Sequence, residues 1–316
     1  MSESDPVLLE VKDLTVERRE LFSESQIGLR NVSLTVKAGD AVAVCGETGC
    51  GKSILTHAIM RCLGPGRRVI GGSVELSGRD LLKISKRAMR KVRASEIAFI
   101  GSEVDNQLNP STTIREHLWE CIELSGRSDD LGDEDDWSPY FYEVGIVEPE
   151  KVLDAHGSDL SALMVQRVML LTALFTGAKL IICDDPTAEL DIAAEYQFFE
   201  VLGQIKNDRK IGVLLTLGHL NRAGKIADEI TVLYEGGMLE SGRAFDILRA
   251  PKHDYTREFS QASPNLDRDQ KRLSTVGTRP ALEAQEAVHQ SASSLEAASR
   301  GQSKADSGPE DSEENA

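Results

Sequence analysis

Long apolar runs are missing from this 316-residue chain. Spanning a bilayer takes roughly 18 or more uninterrupted apolar residues. The best stretch, "LMVQRVMLLTALF" at Leu163–Phe175, is broken by Gln166 and Arg167. Aromatic residues make up only 5% of the chain, and 36 Lys and Arg face 52 Asp and Glu. The resulting net charge of −16 argues against nucleic acid as a partner, because duplex binding is driven by Lys and Arg neutralising phosphates. The acidity reads as a solubility device. Five cysteines, Cys45, Cys50, Cys62, Cys121 and Cys183, form no CxxC pair. Neither a disulfide framework nor a zinc site is indicated, and a reducing cytosol fits. The opening "MSESDPVLLE" is polar and acidic, unlike a secretory signal.

What is present is a chain long enough for a sizeable core, with 40% hydrophobic residues. "VLLEVKDLTVERR" and "IGLRNVSLTV" alternate apolar and polar residues, as half-buried antiparallel strands do. "AVAVCG", "IAFIGS", "KLIICD" and "GVLLTL" are continuous apolar runs, the pattern of strands covered on both faces. "KSILTHAIMRCLG", "TIREHLWECIEL" and "LSALMVQRVMLLTALF" carry helical spacing. Between the last two lies a polar, acidic connector, "SGRSDDLGDEDDWSP". Strands alternating with helices predict an α/β doubly wound core. From about Ser263 the chain turns rich in Ser, Ala and Glu, so 263–316 is expected to be a disordered acidic tail, with a short helix near Ala281–Ala298.

The sharpest motif is "GETGCGKS", which satisfies G-x-x-x-x-G-K-[ST] between a strand and a helix. Gly46, Gly49 and Gly51 let the backbone curl so that N–H groups point inward around a phosphate, and the following helix adds its positive end. The expected nucleotide contacts are Gly46, Glu47, Thr48, Gly49, Cys50, Gly51, Lys52, Ser53 and Ile54. Lys52 supplies charge to the β- and γ-phosphates, and Ser53 ligates Mg²⁺. Asp184, closing "KLIICD", is a second Mg²⁺ ligand in the Walker B manner. The expected cofactors are ATP and Mg²⁺, and the expected fold is a P-loop NTPase of RecA-like type. It would carry an N-terminal antiparallel β subdomain and an inserted helical subdomain at about 103–176.

The order of these motifs resembles the nucleotide-binding subunit of an ABC transporter, over about Val7–Phe259, within a domain spanning 1–262. "DLSALMVQRVML" stands where that family has its LSGGQ signature, and "PTAELD" where it has its D-loop. "LNP" at Leu108–Pro110 and "PKHDYTRE" at Pro251–Glu258 are similar to segments of the oligopeptide, dipeptide and nickel importers. The resemblance implies ATP sandwiched between two subunits, with Ser161 of one reaching the nucleotide of the other. It also implies a second ATP-binding subunit, two membrane permeases, an extracytoplasmic binding protein, and a peripheral place on the cytoplasmic side of the membrane. Many such subunits carry a C-terminal cysteine cluster, whereas this chain has no cysteine after Cys183.

Several family positions are altered. Arg18 stands where an aromatic stacks on adenine; it either stacks as a guanidinium or is a solvated strand residue. Ser102 replaces the Q-loop glutamine and is a shorter candidate metal ligand, with Glu103 alongside. Ala162 and Leu163 replace the signature glycines. Asp185 occupies the catalytic-glutamate position, one methylene shorter, and a misplacement of that order costs about 10²-fold in rate. Gly218 fills the switch-histidine position, with His219 next to it; a one-residue slip would bring His219 into service, and otherwise it is a surface residue. These changes predict a chain that holds Mg-ATP and hydrolyses it slowly or only with a partner. The competing expectation is a non-hydrolysing regulatory or assembly subunit, even of a soluble complex.

Overall fold

The computed structural model describes residues 6–19 and 26–262, all within one compact unit, Met1–Leu273. The expected tail and its short helix lie outside the described residues. Strands β1 (Val7–Arg18) and β2 (Gln26–Lys37) pair antiparallel, burying Leu9, Val11, Leu14 and Val16 against Leu29, Val32, Leu34 and Val36. The phase of alternation slips between Val11 and Leu14, where Asp13 takes a φ of 48°, an irregularity that keeps both apolar sets on the core face.

Strand β3 (Ala41–Cys45) is buried throughout and leads through a glycine turn into α1 (Lys52–Ile59). The sequence pattern carries this helix on to Leu63, but it ends at Ile59. Arg61 turns left-handed, at φ 50°, and its guanidinium is captured by the carbonyls of Leu81 and Ile84 at 2.9 and 2.7 Å. Strands β4 (Arg67–Leu76) and β5 (Arg79–Asp80) extend the antiparallel part beside β1. Helix α2 (Lys86–Ser95), capped by Ser85, precedes β6 (Ile97–Ile100).

Helices then occupy the chain until the next strand. Helix α3 (Ile114–Ser125) starts at a capping box of Thr113 and Glu116 and stops at Gly126, φ 77°. The acidic connector that follows is not merely a loop. It contains α4 (Ser128–Leu131) and a 3₁₀ turn ending in Trp137, which is 1% exposed and packs on Phe175 at 4.8 Å and Trp119 at 4.9 Å. Charge around a lone tryptophan hid this anchor. Helices α5 (Ser138–Glu143), α6 (Pro149–Leu153) and α7 (Ala162–Thr176) complete the group.

Strand β7 (Leu180–Asp184), helix α8 (Ile192–Arg209), strand β8 (Gly212–Leu217), the short α9 (Leu220–Ala223), the hairpin β9 (Glu229–Tyr234) and β10 (Gly237–Arg243), and helices α10 (Ala244–Arg249) and α11 (Asp254–Ala262) close the described chain. The ten strands run in the order β5-β4-β1-β2-β10-β9-β3-β8-β7-β6. From β9 to β6 neighbours are parallel, which requires the helical crossovers seen here. The carboxyl ends of β3, β6, β7 and β8 therefore meet along one edge, where open α/β sheets bind ligands.

Candidate nucleotide site

The loop Gly46–Gly51 leaves β3 at that edge. Gly49 and Gly51 take φ values of 89° and 113°, which side chains with a Cβ resist. Gly46 is a glycine for another reason: a Cβ there would lie 2.4 Å from the Leu233 carbonyl oxygen and 2.6 Å from Cys50 Sγ. The turn between β9 and β10 supports the loop from outside, with Gly236 N–H donating to the Cys50 carbonyl at 2.9 Å. Lys52 is 9% exposed and folds back, donating from Nζ to the carbonyls of Gly46 at 2.6 Å and Glu47 at 2.9 Å. Glu47, Thr48, Gly49 and Ser53 are open to solvent, while Cys50 and Gly51 are buried.

Facing the loop, Asp184 ends β7 with 8% exposure. Thr216, on the neighbouring strand, donates from Oγ1 to Asp184 Oδ1 at 2.6 Å, and the same hydroxyl accepts the Asp185 N–H at 3.0 Å. Asp185 itself is left-handed, φ 49°, with Oδ1 buried and unpartnered among the described residues. Burial pushes its carboxyl up; the charges of Lys52 and Arg222 pull it back, and Asp184 adds to the rise. A Cβ at Gly218 would sit 3.8 Å from Asp185 Oδ2, an ordinary contact. His219 is half-buried and its imidazole is pushed down by burial, then by Arg222, with Asp185 opposing. Arg222 is held in place by Glu195, which also pairs with Lys225.

The chemistry of these donors fits a magnesium–nucleotide. No cluster of three or more His, Cys, Asp or Glu side chains able to cage a metal occurs among the described residues. Mg²⁺ is ordinarily held by one or two carboxylates with phosphates and water rather than by an all-protein cage. Asp184, with one oxygen engaged by Thr216, the exposed Ser53 hydroxyl and the uncompensated Asp185 oxygen are of that kind.

Ser102 follows β6, whose Ile100 pairs with Cys183, so it leaves the sheet beside the end of β7. The preceding Gly101 is clamped. Gln107 bonds both its N–H and its carbonyl, at 3.1 Å each, and Gln166 donates to that carbonyl at 3.1 Å and to the Pro186 carbonyl at 2.8 Å. Ser161 is exposed at the start of α7, where its Oγ accepts the Met164 N–H at 3.3 Å. Arg18 ends β1 opposite Gln26 and Arg67.

Thr216 and Gln166 escaped sequence reasoning. Each is a polar residue inside an apolar run, and that interruption was the available signal. A separate cavity of about 640 Å³, lined by Val7, Leu8, Tyr140, Leu174 and Ile211 among others, lies at the amino ends of the strands and includes none of these groups.

Residues 29–188 match the family described as ABC transporter. The dipeptide transport ATP-binding protein DppD of Escherichia coli is 32% identical over 245 residues, covering 78% of this chain and 75% of DppD. The peptidoglycan transport ATP-binding protein YejF of Agrobacterium fabrum is 34% identical over 81% of this chain, which spans 47% of that longer protein. An ATP-binding cassette solved as a dimer bound to ADP and phosphate superposes with a TM-score of 0.64 at 20% identity, over 75% of this chain and 99% of that one. The sheet order and these matches agree on a P-loop NTPase fold, and the chain belongs to the ABC transporter family, among its ATP-binding subunits.

Proposed function

We propose that this chain binds Mg-ATP through Gly46–Ile54 and Asp184 and, paired with a second ATP-binding subunit, energises an importer of the peptide or nickel type. The observation that carries this reading is the phosphate loop, with two left-handed glycines, a third glycine packed too tightly for any side chain, and a lysine parked on the loop's own carbonyls. Those carbonyls are weak partners for an ammonium, so triphosphate oxygens displace them readily. Relatives named for dipeptide and peptidoglycan transport support a peptide-type cargo.

Bound magnesium neutralises charge on the β- and γ-phosphates. Ser53 and Asp184 would hold it, with Ser102 a third and shorter candidate, and Thr216 keeps the Asp184 carboxylate aimed. Asp185 takes the place of the water-directing carboxylate. Its burial disfavours the ionised form that accepts a proton, and its side chain is short. Gly218 offers no group to the γ-phosphate, and His219, electrostatically coupled to Asp185 and Lys52, is the remaining imidazole. Each missing transition-state contact costs about 10²–10³ in rate, so turnover is slow in the isolated chain. Ser161 serves the opposite subunit's nucleotide, at a helix start that Ala162 and Leu163 make bulkier than glycine.

Two permeases, fed by an extracytoplasmic binding protein, place the pair on the cytoplasmic membrane face. No helix among the described residues is long and apolar enough to cross a membrane. Calorimetric Mg-ATP binding and phosphate release, measured with and without the second subunit, test the reading. Binding with partner-dependent hydrolysis is expected, and absence of binding in both settings overturns it. Binding without hydrolysis in either setting establishes instead a regulatory or assembly subunit, the reading that Asp185 and Gly218 favour.

A further inference from the structure

Helix α2 is built against its own electrostatics. Lys86 and Arg87 fill its first two positions, beside the positive end of the helix dipole, and no carboxylate stands in that turn. Arg90 and Lys91 follow one turn later, which sets Lys86 beside Arg90 and Arg87 beside Lys91 at like-charge i,i+4 spacing. Both arrangements weaken a helix. Ser85 offsets part of that cost, its Oγ accepting the Ala88 N–H at 3.2 Å.

The neighbouring cations are occupied. Lys83 pairs with Asp80 at 2.8 Å, Arg79 pairs with Glu96 at 2.6 Å, and Arg93 donates to the Met60 carbonyl at 3.2 Å. Lys86, Arg87, Arg90 and Lys91 are exposed, and their side chains make no ion pair or hydrogen bond among the described residues. On the opposite face Met89 and Val92 are buried in the core. The apolar side of the helix is therefore used by the fold, and its outward side offers charge alone.

In a chain of net charge −16, four uncompensated cations between Lys86 and Lys91 form a patch of the opposite sign. At about 0.1 M salt the screening length is about 10 Å, so more distant carboxylates do little to cancel it. The cations line a helical ridge and not a pocket, which suits an extended array of anions better than one small ion. A sequence that accepts a local cost in stability at one face points to a use for that face.

We propose that α2 is a contact surface for a membrane of anionic phospholipid, its four cations lying on the headgroups with no side chain entering the acyl layer. Each Lys or Arg near such a surface favours contact by about 5-fold, and four together by about 10³-fold. The patch sets which face of the chain turns to the membrane, and it acts whether or not nucleotide is bound.

Sedimentation of the full-length chain with lipid vesicles, without nucleotide, tests this. Vesicles of phosphatidylcholine with about one third phosphatidylglycerol are expected to bind it at least about 10-fold more tightly than phosphatidylcholine alone, and added salt to release it. The double variant Lys86→Glu/Arg87→Glu is expected to weaken that binding by at least about 30-fold. Its melting temperature is expected to rise by about 2–4 °C, because the dipole and the like-charge pairs are relieved. A purely structural role would not move the two readouts in opposite directions. Equal binding to both kinds of vesicle, or unchanged binding by the variant, overturns the proposal. A falling melting temperature shows that these cations support the fold, and overturns it as well. Tighter binding to a duplex oligonucleotide than to the anionic vesicles assigns the patch to nucleic acid instead and likewise overturns it.

Discussion

Thr216 Oγ1 reaches Asp184 Oδ1 at 2.6 Å across the β7–β8 pair, and the two residues stand directly opposite in the parallel register. The hydroxyl donates to the Asp184 carboxylate and accepts from the backbone N–H of Asp185, so a single buried oxygen fixes one Walker B carboxylate and the main chain that carries the next. Thr216→Val keeps the shape and removes both bonds. It is expected to lower stability by about 1–3 kcal/mol and Mg-ATP affinity by about 10-fold, whereas Thr216→Ser restores affinity. Urea unfolding and nucleotide titration of the three proteins check this.

Two loop glycines should respond differently to the same methyl group. At Gly46 the added Cβ meets backbone at 2.4 Å, and the β9 wall must move. At Gly49 nothing lies within 4 Å, and only the φ of 89° opposes alanine. Gly46→Ala is expected to abolish nucleotide binding and destabilise by about 3 kcal/mol, the upper end of the usual overpacking cost. Gly49→Ala is expected to cost about 1–2 kcal/mol and to retain measurable binding. Thermal melts with and without Mg-ATP separate the two.

The proposed slow turnover carries a restoration test. Position 218 has room for a side chain facing Asp185, since a Cβ makes only a 3.8 Å contact, and its backbone is not left-handed. Gly218→His together with Asp185→Glu is expected to raise phosphate release about 10²-fold over the wild type when the second subunit is present. A rate that stays at the wild-type level places the defect elsewhere, at Ser102 or at Ala162 and Leu163.

The helical region carries a pH response of its own. His117, beside Cys121 Sγ at 3.7 Å and Thr172 Oγ1 at 3.5 Å, is pushed below its usual range of about 6.5 by burial, with Glu120 opposing. Below that value the unfolded chain binds a proton that the native chain refuses, so stability present at higher pH is lost as the pH falls toward the lowered native value. The slope approaches about 1.4 kcal/mol per pH unit for one such group. Denaturation midpoints between pH 7.5 and 5.5 should fall less steeply in His117→Gln than in wild type.

Much of the core was legible because its signals are local. Apolar runs such as "GVLLTL" predicted β8, and "KLIICD" predicted β7. The capping pair Thr113 and Glu116 marks the start of α3 within three residues. Elements without an uninterrupted pattern were missed: β4 with its paired glycines, the hairpin around Gly236, and the long α8, whose apolar residues do not gather on one face. Trp137 was read as connector because its burial depends on Phe175, a residue far along the chain.

The sequence alone determined the phosphate loop and the ends of the parallel strands, since backbone curl, lysine placement and strand burial are dictated by neighbours in the chain. Only the tertiary structure decided what surrounds them: Thr216 gripping Asp184, Gly218 opposite Asp185, and Tyr255 packed on Tyr234 at the end of β9. These relationships join segments brought together by sheet order and by the return of the last helix. A hydrogen bond or a close contact is a matter of distance in space, and distance along the chain carries no record of it.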